Sequence, residues 1–387
     1  MYPKYPGRRC RTRCNSLGVT MSNTISIKPV KLGIIGAGFV GQVAHIMNYV
    51  EVTNCQIVAL AEYRPILRRK LAERYGIPKT YESHHELLKD PEVEAVVIVT
   101  PRRYTAPLAL DCLRAGKHVI TEKPMAGTLK QAELLVDIAQ EKNLNYAVGY
   151  MRRYDEGVQL GKKLLDELIA SQEIGPVLFV RAHCYAGTSF CNIDGHIKSD
   201  EKANYPDEGW PIAPDWLPEE WACEYALFLN TFSHNTNLLR YLFNKMPSVE
   251  YSWLQHSAGQ IAVLNFGDFV ASLETAISIN RTWDETTDIY FTKGHLSIRT
   301  FPAFLRNIPA QVTLYKGTDK HETFVSNCNW TWAFRRQAEA FVDDILNGRE
   351  SINSGKDALE DLRLIENIWL KEFNRRQYPE FRQTVKK

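Results

Sequence analysis

Lys31-Leu32-Gly33-Ile34-Ile35-Gly36-Ala37-Gly38-Phe39-Val40-Gly41 is an apolar run that breaks into three spaced glycines. Followed by helical periodicity over residues 40–50, it reads as a strand, a tight turn and a helix. In that setting each glycine has its own task. Gly36 permits the turn, Gly38 lets a pyrophosphate approach the backbone, and Gly41 lets the helix pack closely on the strand. Phe39 and Val40 lie within the same turn, and the helix N-terminus adds amides and a dipole that favour phosphate. The competing reading is an ordinary glycine-rich turn.

Outward from this motif, strands and helices alternate. Residues 56–61 read as a second strand, and residues 64–75 as a helix stopped by Gly76. Residues 94–100 (Glu-Ala-Val-Val-Ile-Val-Thr) are nearly all apolar, as in a strand covered on both faces. A helix over 106–115, a strand over 118–121, a helix over 129–142 and a strand over 145–149 complete the series. This predicts a parallel, doubly wound Rossmann sheet over residues 30–150. From 151 to 387 the texture becomes that of an α+β domain with an open, mainly antiparallel sheet. A helix over 156–170 precedes alternating segments at 177–184, 249–255, 260–266, 269–280, 289–291 and 295–299, with a turn at Lys293-Gly294. Helical patterns return at 332–346 and 356–373. Residues 187–221 form a loop-rich insert with four prolines, a length that suits a lid or binding loop.

Bulk properties narrow the function. At 387 residues two domains are expected. A net charge of +2 excludes no class but gives no reason for nucleic-acid or membrane partners, and no apolar run reaches the roughly 18–20 residues of a membrane span. Residues 1–29 carry Arg8, Arg9, Arg11 and Arg13 without an amphipathic pattern. A disordered basic tail is favoured there over a targeting arm, and Met21 is an alternative start. The eight cysteines include no Cys-x-x-Cys pair, which points to a reducing cytoplasm.

Two groups of residues carry candidate chemistry. Glu62 ends the second strand twenty-one positions after Gly41, where a carboxylate binds ribose hydroxyls and repels the 2′-phosphate of NADP. NAD is therefore favoured, although Arg64 leaves NADP open, since a guanidinium there binds that phosphate or stacks on adenine. A surface ion pair is the alternative for both residues. Glu122-Lys123-Pro124 follows the strand over 118–121. An ammonium near a reacting carbon stabilises a developing alkoxide, and Glu122 would orient it or hold a cofactor hydroxyl. A solvated Glu-Lys pair is the bland reading. Asn230, His234, Asn237 and Tyr241 recur at helical spacing and form one stripe opposite Phe232, Leu239, Leu242 and Phe243. That stripe suits a cleft wall, and a structural histidine is the alternative.

Residues 115–124 (Ala-Gly-Lys-His-Val-Ile-Thr-Glu-Lys-Pro) resemble the signature of the glucose–fructose oxidoreductase/inositol dehydrogenase (Gfo/Idh/MocA) family. Thr100-Pro101, residues 148–154 (Val-Gly-Tyr-Met-Arg-Arg-Tyr), Thr292-Lys293-Gly294 and the C-terminal helices extend the resemblance over roughly residues 30–375. It implies that Lys123 lies beside nicotinamide and contacts the hydroxyl that is oxidised. It also implies that Thr100 and Pro101 line the dinucleotide, that Tyr150 and Arg153 reach the substrate, and that His234 is the acid/base residue. The chain departs from the family pattern at Asn230, where the family has an aspartate, and at Thr105, where it has a histidine. Asn230 would still orient His234 but would not raise its pKa, so His234 should be neutral near pH 7.

The resulting expectation is an NAD(P)-dependent dehydrogenase acting on a secondary alcohol or ketone of a sugar, cyclitol or related polyol. Its catalytic residues would be Lys123, His234 and Asn230, and it would form a homo-oligomer, dimer or tetramer, through the open sheet. Two rivals are an NAD-dependent glycosidase of the same fold and a non-catalytic dinucleotide-sensing regulator. Cys184, Cys191, Asp194, His196, Asp215 and Cys223 fit no common zinc spacing, so no metal is expected. Tyr185, Phe190, Asp194, Trp210 and Trp216 suit either polyol recognition or simple loop packing.

Overall fold

The computed structural model describes residues 28–205, 209–255 and 259–377. The basic tail, both candidate starts and Pro206 of the insert lie outside them. Six strands, β1 (Val30–Ile35), β2 (Cys55–Ala61), β3 (Lys79–Tyr81), β4 (Ala95–Ile98), β5 (His118–Thr121) and β6 (Tyr146–Val148), form one sheet in the order β3-β2-β1-β4-β5-β6. Every pair is parallel. All four residues of β4 are buried, as an apolar strand with helices on both faces requires. The order reverses beside β1, so the C-terminal ends of β1 and β4 open a crevice at the glycine motif.

The helices of this layer are α1 (Met47–Tyr49), α2 (Pro65–Tyr75), α3 (His84–Leu88), α4 (Arg102–Arg114) and α5 (Leu129–Glu141). A π-helical turn over Gly41–Ile46 precedes α1. β3 and α3 are too short for periodicity to reveal. α4 begins four residues earlier than the sequence pattern suggests, because Pro107 lies inside the helix and not at its start. Proline has no N–H to give to the Arg103 carbonyl four residues back. That carbonyl accepts instead from the Trp210 amide of the insert, at 2.8 Å.

Eight strands make the second sheet: β7 (Val177–Ala186), β8 (Ser248–Trp253), β9 (Gln260–Asn265), β10 (Val270–Ile277), β11 (Asp284–Phe291), β12 (Gly294–Arg299), β13 (Gln311–Lys316) and β14 (Glu322–Val325). The order is β14-β13-β12-β11-β7-β10-β9-β8, and only β7 and β10 run parallel. β13 and β14 extend the sheet beyond the sequence reading. Helix α6 (Glu156–Ser171) packs on β12 and β13. On the other face Val270, Phe179 and Tyr290 lie abreast across β10, β7 and β11, each more than one-third exposed.

The helical stripe carrying His234 is two helices, α7 (Ala222–Thr231) and α8 (Ser233–Phe243), broken at Phe232. The last helices, α9 (Ala333–Leu346) and α10 (Gly355–Gln377), return to the first layer. Ala338, Phe341 and Val342 of α9 join the core under β1, and Ser354 pairs with Ala147 of β6. The polypeptide after residue 151 thus completes the nucleotide-domain core as well as the second sheet. No helix among the described residues is long and apolar enough to cross a membrane.

Candidate active site

The glycine turn is built for a close ligand. Gly36 has φ +85°, and a Cβ there would lie 2.4 Å from the Val99 carbonyl. A Cβ on Gly41 would lie 2.9 Å from the Gly36 carbonyl, so the helix start presses on the turn. At Gly38 a Cβ would meet no protein atom within 4 Å. It would instead project into a cavity of about 690 Å³. A pyrophosphate has room at this backbone only because the side chain is absent, and the donor set fits a dinucleotide.

Every residue expected to bind cofactor lines that cavity: Gly36, Gly38, Phe39, Val40, Gly41, Glu62, Arg64, Thr100, Pro101, Glu122 and Lys123. Glu62 is nonetheless not free for ribose. Its Oε2 accepts from the Ala37 amide (2.9 Å) and Arg64 Nη2 (2.8 Å), and its Oε1 accepts from the Arg64 amide (3.1 Å) and Nε (2.8 Å). Burial imposes this, because a carboxylate at 4% exposure must find donors inside the protein. Arg64, held by Glu62, is the more exposed member of the pair.

Toward the second sheet the cavity is walled by Lys123, Asn230, Thr231, His234, Arg152, Trp283 and Glu285. Lys123 Nζ donates to the Asn230 carbonyl (2.5 Å) and side-chain Oδ1 (3.2 Å). An ammonium has three donors, so one N–H remains for a ligand. Burial pulls the Lys123 pKa down to about 8, against the opposing pull of Glu122 and with help from Arg102 and Arg152. Burial likewise holds His234 well below its ordinary value, reinforced by Lys123 and Arg152. Its Nδ1 is buried and without a hydrogen-bond partner among the described residues. The side chain of Asn230 therefore serves Lys123, whereas the sequence reading assigned it to His234. Asn230 lies in α7 and His234 in α8, so the break at Phe232 removes the two from one continuous helical stripe.

Two substrate assignments also change. Arg153 does not reach the cavity. It is buried, donates through Nε to Asn237 Oδ1 (2.9 Å), pairs with Asp357 (2.6 Å) and lies over the Tyr241 ring (5.1 Å). It ties the 3₁₀ turn over Met151–Tyr154 to α8 and α10. Arg153→Ala should accordingly lower stability by about 2–3 kcal/mol, less than the full cost of orphaning a buried charge because Asp357 is partly exposed. Chemical denaturation checks this. Tyr150 is buried behind His234, edge to face at 5.7 Å, and does not line the cavity.

Sequence reasoning missed several residues. Arg152 faces the cleft and pairs with Glu285, which also accepts from Trp283 Nε1 (2.8 Å) and Asn235 Nδ2 (3.2 Å). His45, buried in the π-turn, holds Glu122 through Nε2 and Oε1 at 2.8 Å. Its position one turn past the motif was the available signal. Of the insert's expected recognition residues, Phe190 lines the cavity, while Asp194, Trp210 and Trp216 do not. Thr105, standing where the family has a histidine, is buried beside Thr100 (Oγ1 to Oγ1, 3.5 Å).

Residues 30–150 match the profile of the Gfo/Idh/MocA family, described as an oxidoreductase family with an NAD-binding Rossmann fold. The match covers the nucleotide-binding domain alone, where this chain is similar to that family. Among curated relatives, myo-inositol 2-dehydrogenase of Thermotoga maritima is 28% identical over 146 residues, 38% of this chain and 42% of that protein. Inositol 2-dehydrogenase/D-chiro-inositol 3-dehydrogenase of Lacticaseibacillus casei is 33% identical over 182 residues, 46% of this chain and 48% of that protein. The matched stretch spans less than half the length of these relatives. Solved structures extend the likeness in fold to 89% of the chain. A levoglucosan dehydrogenase in complex with NADH and levoglucosan superposes with a TM-score of 0.70 at 19% identity, over 98% of its own chain. Aldose-aldose oxidoreductase of Caulobacter crescentus superposes at 0.69 and 22% identity, also over 98% of its chain. The likeness in fold to these structures thus extends over the open second sheet.

Proposed function

We propose that this chain is an NAD-dependent dehydrogenase that oxidises a secondary alcohol of a sugar, cyclitol or related polyol, or reduces the matching ketone. The observation that carries the reading is Lys123 Nζ, anchored by two acceptors with its third N–H free, in the cleft shared by the glycine turn and His234. Bound dinucleotide supplies the hydride acceptor or donor. Lys123, an ammonium at neutral pH, donates to the reacting oxygen and stabilises the charge that develops there. His234, neutral at that pH, takes the hydroxyl proton during oxidation and returns it during reduction. Trp283 offers an apolar ring face, and the Arg152–Glu285 pair offers polar atoms for the other hydroxyls. The dehydrogenases named among the relatives support this substrate class.

A panel of inositols, aldoses and anhydrosugars, followed at the absorbance band of reduced nicotinamide, tests the reading. Stoichiometric formation of NADH with at least one polyol is expected. Hydrolysis of a glycoside without net cofactor change would favour the glycosidase alternative, and dinucleotide binding without any turnover would favour a sensor.

NAD should bind more tightly than NADP, by at least several-fold. Releasing the guanidinium by Glu62→Ala should narrow that gap, as read by calorimetry. The abreast Val270, Phe179 and Tyr290 support pairing of two copies through the open sheet face, which sedimentation of a Phe179→Glu variant tests through loss of the dimer. All six described cysteines are free, in keeping with a reducing cytoplasm.

A further inference from the structure

Residues 187–205 of the insert cross the nucleotide domain and grip it at successive points. The Ile197 amide donates to Gln42 Oε1 (2.7 Å), and Gln42 Nε2 donates back to the Ile197 carbonyl (3.1 Å). Tyr205 stacks on Tyr104, with ring centroids 3.9 Å apart and planes at 10°, and meets Tyr63 edge-on at 5.1 Å. Between these contacts lies Glu201. Its Oε1 accepts from the Ile66 amide (3.0 Å) and its Oε2 from the Leu67 amide (2.9 Å), the first turn of α2. Ser199 Oγ donates to the same carboxylate at 2.9 Å. α2 has no cap of its own, because Arg64 at the capping position makes no side-chain bond to the helix and Pro65 follows it. The insert therefore supplies a charged cap from a segment distant in sequence.

The place matters because α2 starts directly after Glu62 and Arg64, where the adenosine ribose is held in sheets of this kind. A ribose 2′-phosphate needs a free cation or free amides there. The chain offers both and sets a carboxylate on each, Glu62 on the Arg64 guanidinium and Glu201 on the α2 amides. Ala203 and Tyr205, just beyond Glu201, wall the same cavity as the glycine turn.

We propose that Glu201 is a specificity-determining residue for the cofactor: seated by the insert on α2, its charge excludes a 2′-phosphorylated dinucleotide. The choice of NAD over NADP is then made jointly by the Rossmann domain and by a strap from outside it. This rests on the dinucleotide-dependent reading of the cleft.

The test measures dissociation constants for NAD and NADP by calorimetry on the full chain, with wild type, Glu201→Gln and Glu201→Ser. The glutamine variant keeps a neutral side-chain oxygen in reach of the α2 amides while serine is too short to reach them, so the pair separates loss of charge from loss of capping. In both variants the ratio of the NADP to the NAD constant should fall by roughly tenfold, the size expected from removing one nearby unit charge in a partly screened setting. The effect should shrink as salt rises. Variants that bind NAD but keep the wild-type ratio would overturn the proposal alone, leaving Glu201 as a helix cap. A wild-type chain that binds neither dinucleotide would overturn the reading of the cleft and this proposal with it.

Discussion

Lys123→Ala is expected to lower turnover by about two orders of magnitude or more, the cost of losing a preorganised donor to a developing oxyanion. Dinucleotide affinity should change far less, because the glycine turn and the Arg64 end of the cavity are untouched. The reason for so large an effect is geometric. Two of the three Lys123 donors are fixed by the carbonyl and Oδ1 of Asn230, so the third is aimed without further loss of side-chain freedom. Steady-state kinetics on the best substrate of the polyol panel, with calorimetric dinucleotide binding as control, separates the two effects. Turnover near the wild-type level would remove Lys123 from the chemistry.

The pH profile of kcat/KM should be bell-shaped with limbs of different origin. Oxidation needs His234 neutral, and burial holds its pKa well below the ordinary value, so activity falls only when the pH drops well below 6.5. It also needs Lys123 charged, so activity declines as the pH rises through about 8, where the ammonium loses its proton. Asn230→Asp places a carboxylate oxygen where the amide Oδ1 now lies, 3.2 Å from Nζ. An adjacent anion favours the ammonium, and the basic limb should move up by about one unit or more. Paired profiles on a substrate for which chemistry limits the rate decide the matter. An unmoved basic limb with a shifted acidic one would return Asn230 to His234. His234→Ala should abolish the acidic limb, and its persistence would make His234 structural.

The parts of the site legible in the sequence are those set by local chain geometry. The three glycines of the turn have steric requirements that any neighbouring residues would impose, and the structure gives each a distinct contact or space. Lys123 was readable because it is fixed to the end of a strand whose β-branched run is unmistakable. Arg152 and Arg153 were not separable. They are consecutive in a 3₁₀ turn, and their directions differ only through partners far along the chain, Glu285 for one and Asn237 and Asp357 for the other. Glu62 shows the same limit, since its position was evident but its four internal donors were not.

The sequence by itself determined the alternation of the longer strands and helices in the first layer, the nucleotide turn and the strand-end lysine. Each follows from backbone sterics and from a periodicity of two or 3.6 residues, both of which act within a few residues. Only the tertiary structure decided that Asn230 anchors Lys123, that Pro107 lies within α4 while the freed Arg103 carbonyl receives the insert, and that Glu201 caps α2. These are pairings of groups far apart in sequence, made when burial forces each donor and acceptor to find a partner, and no local pattern encodes which partner that will be.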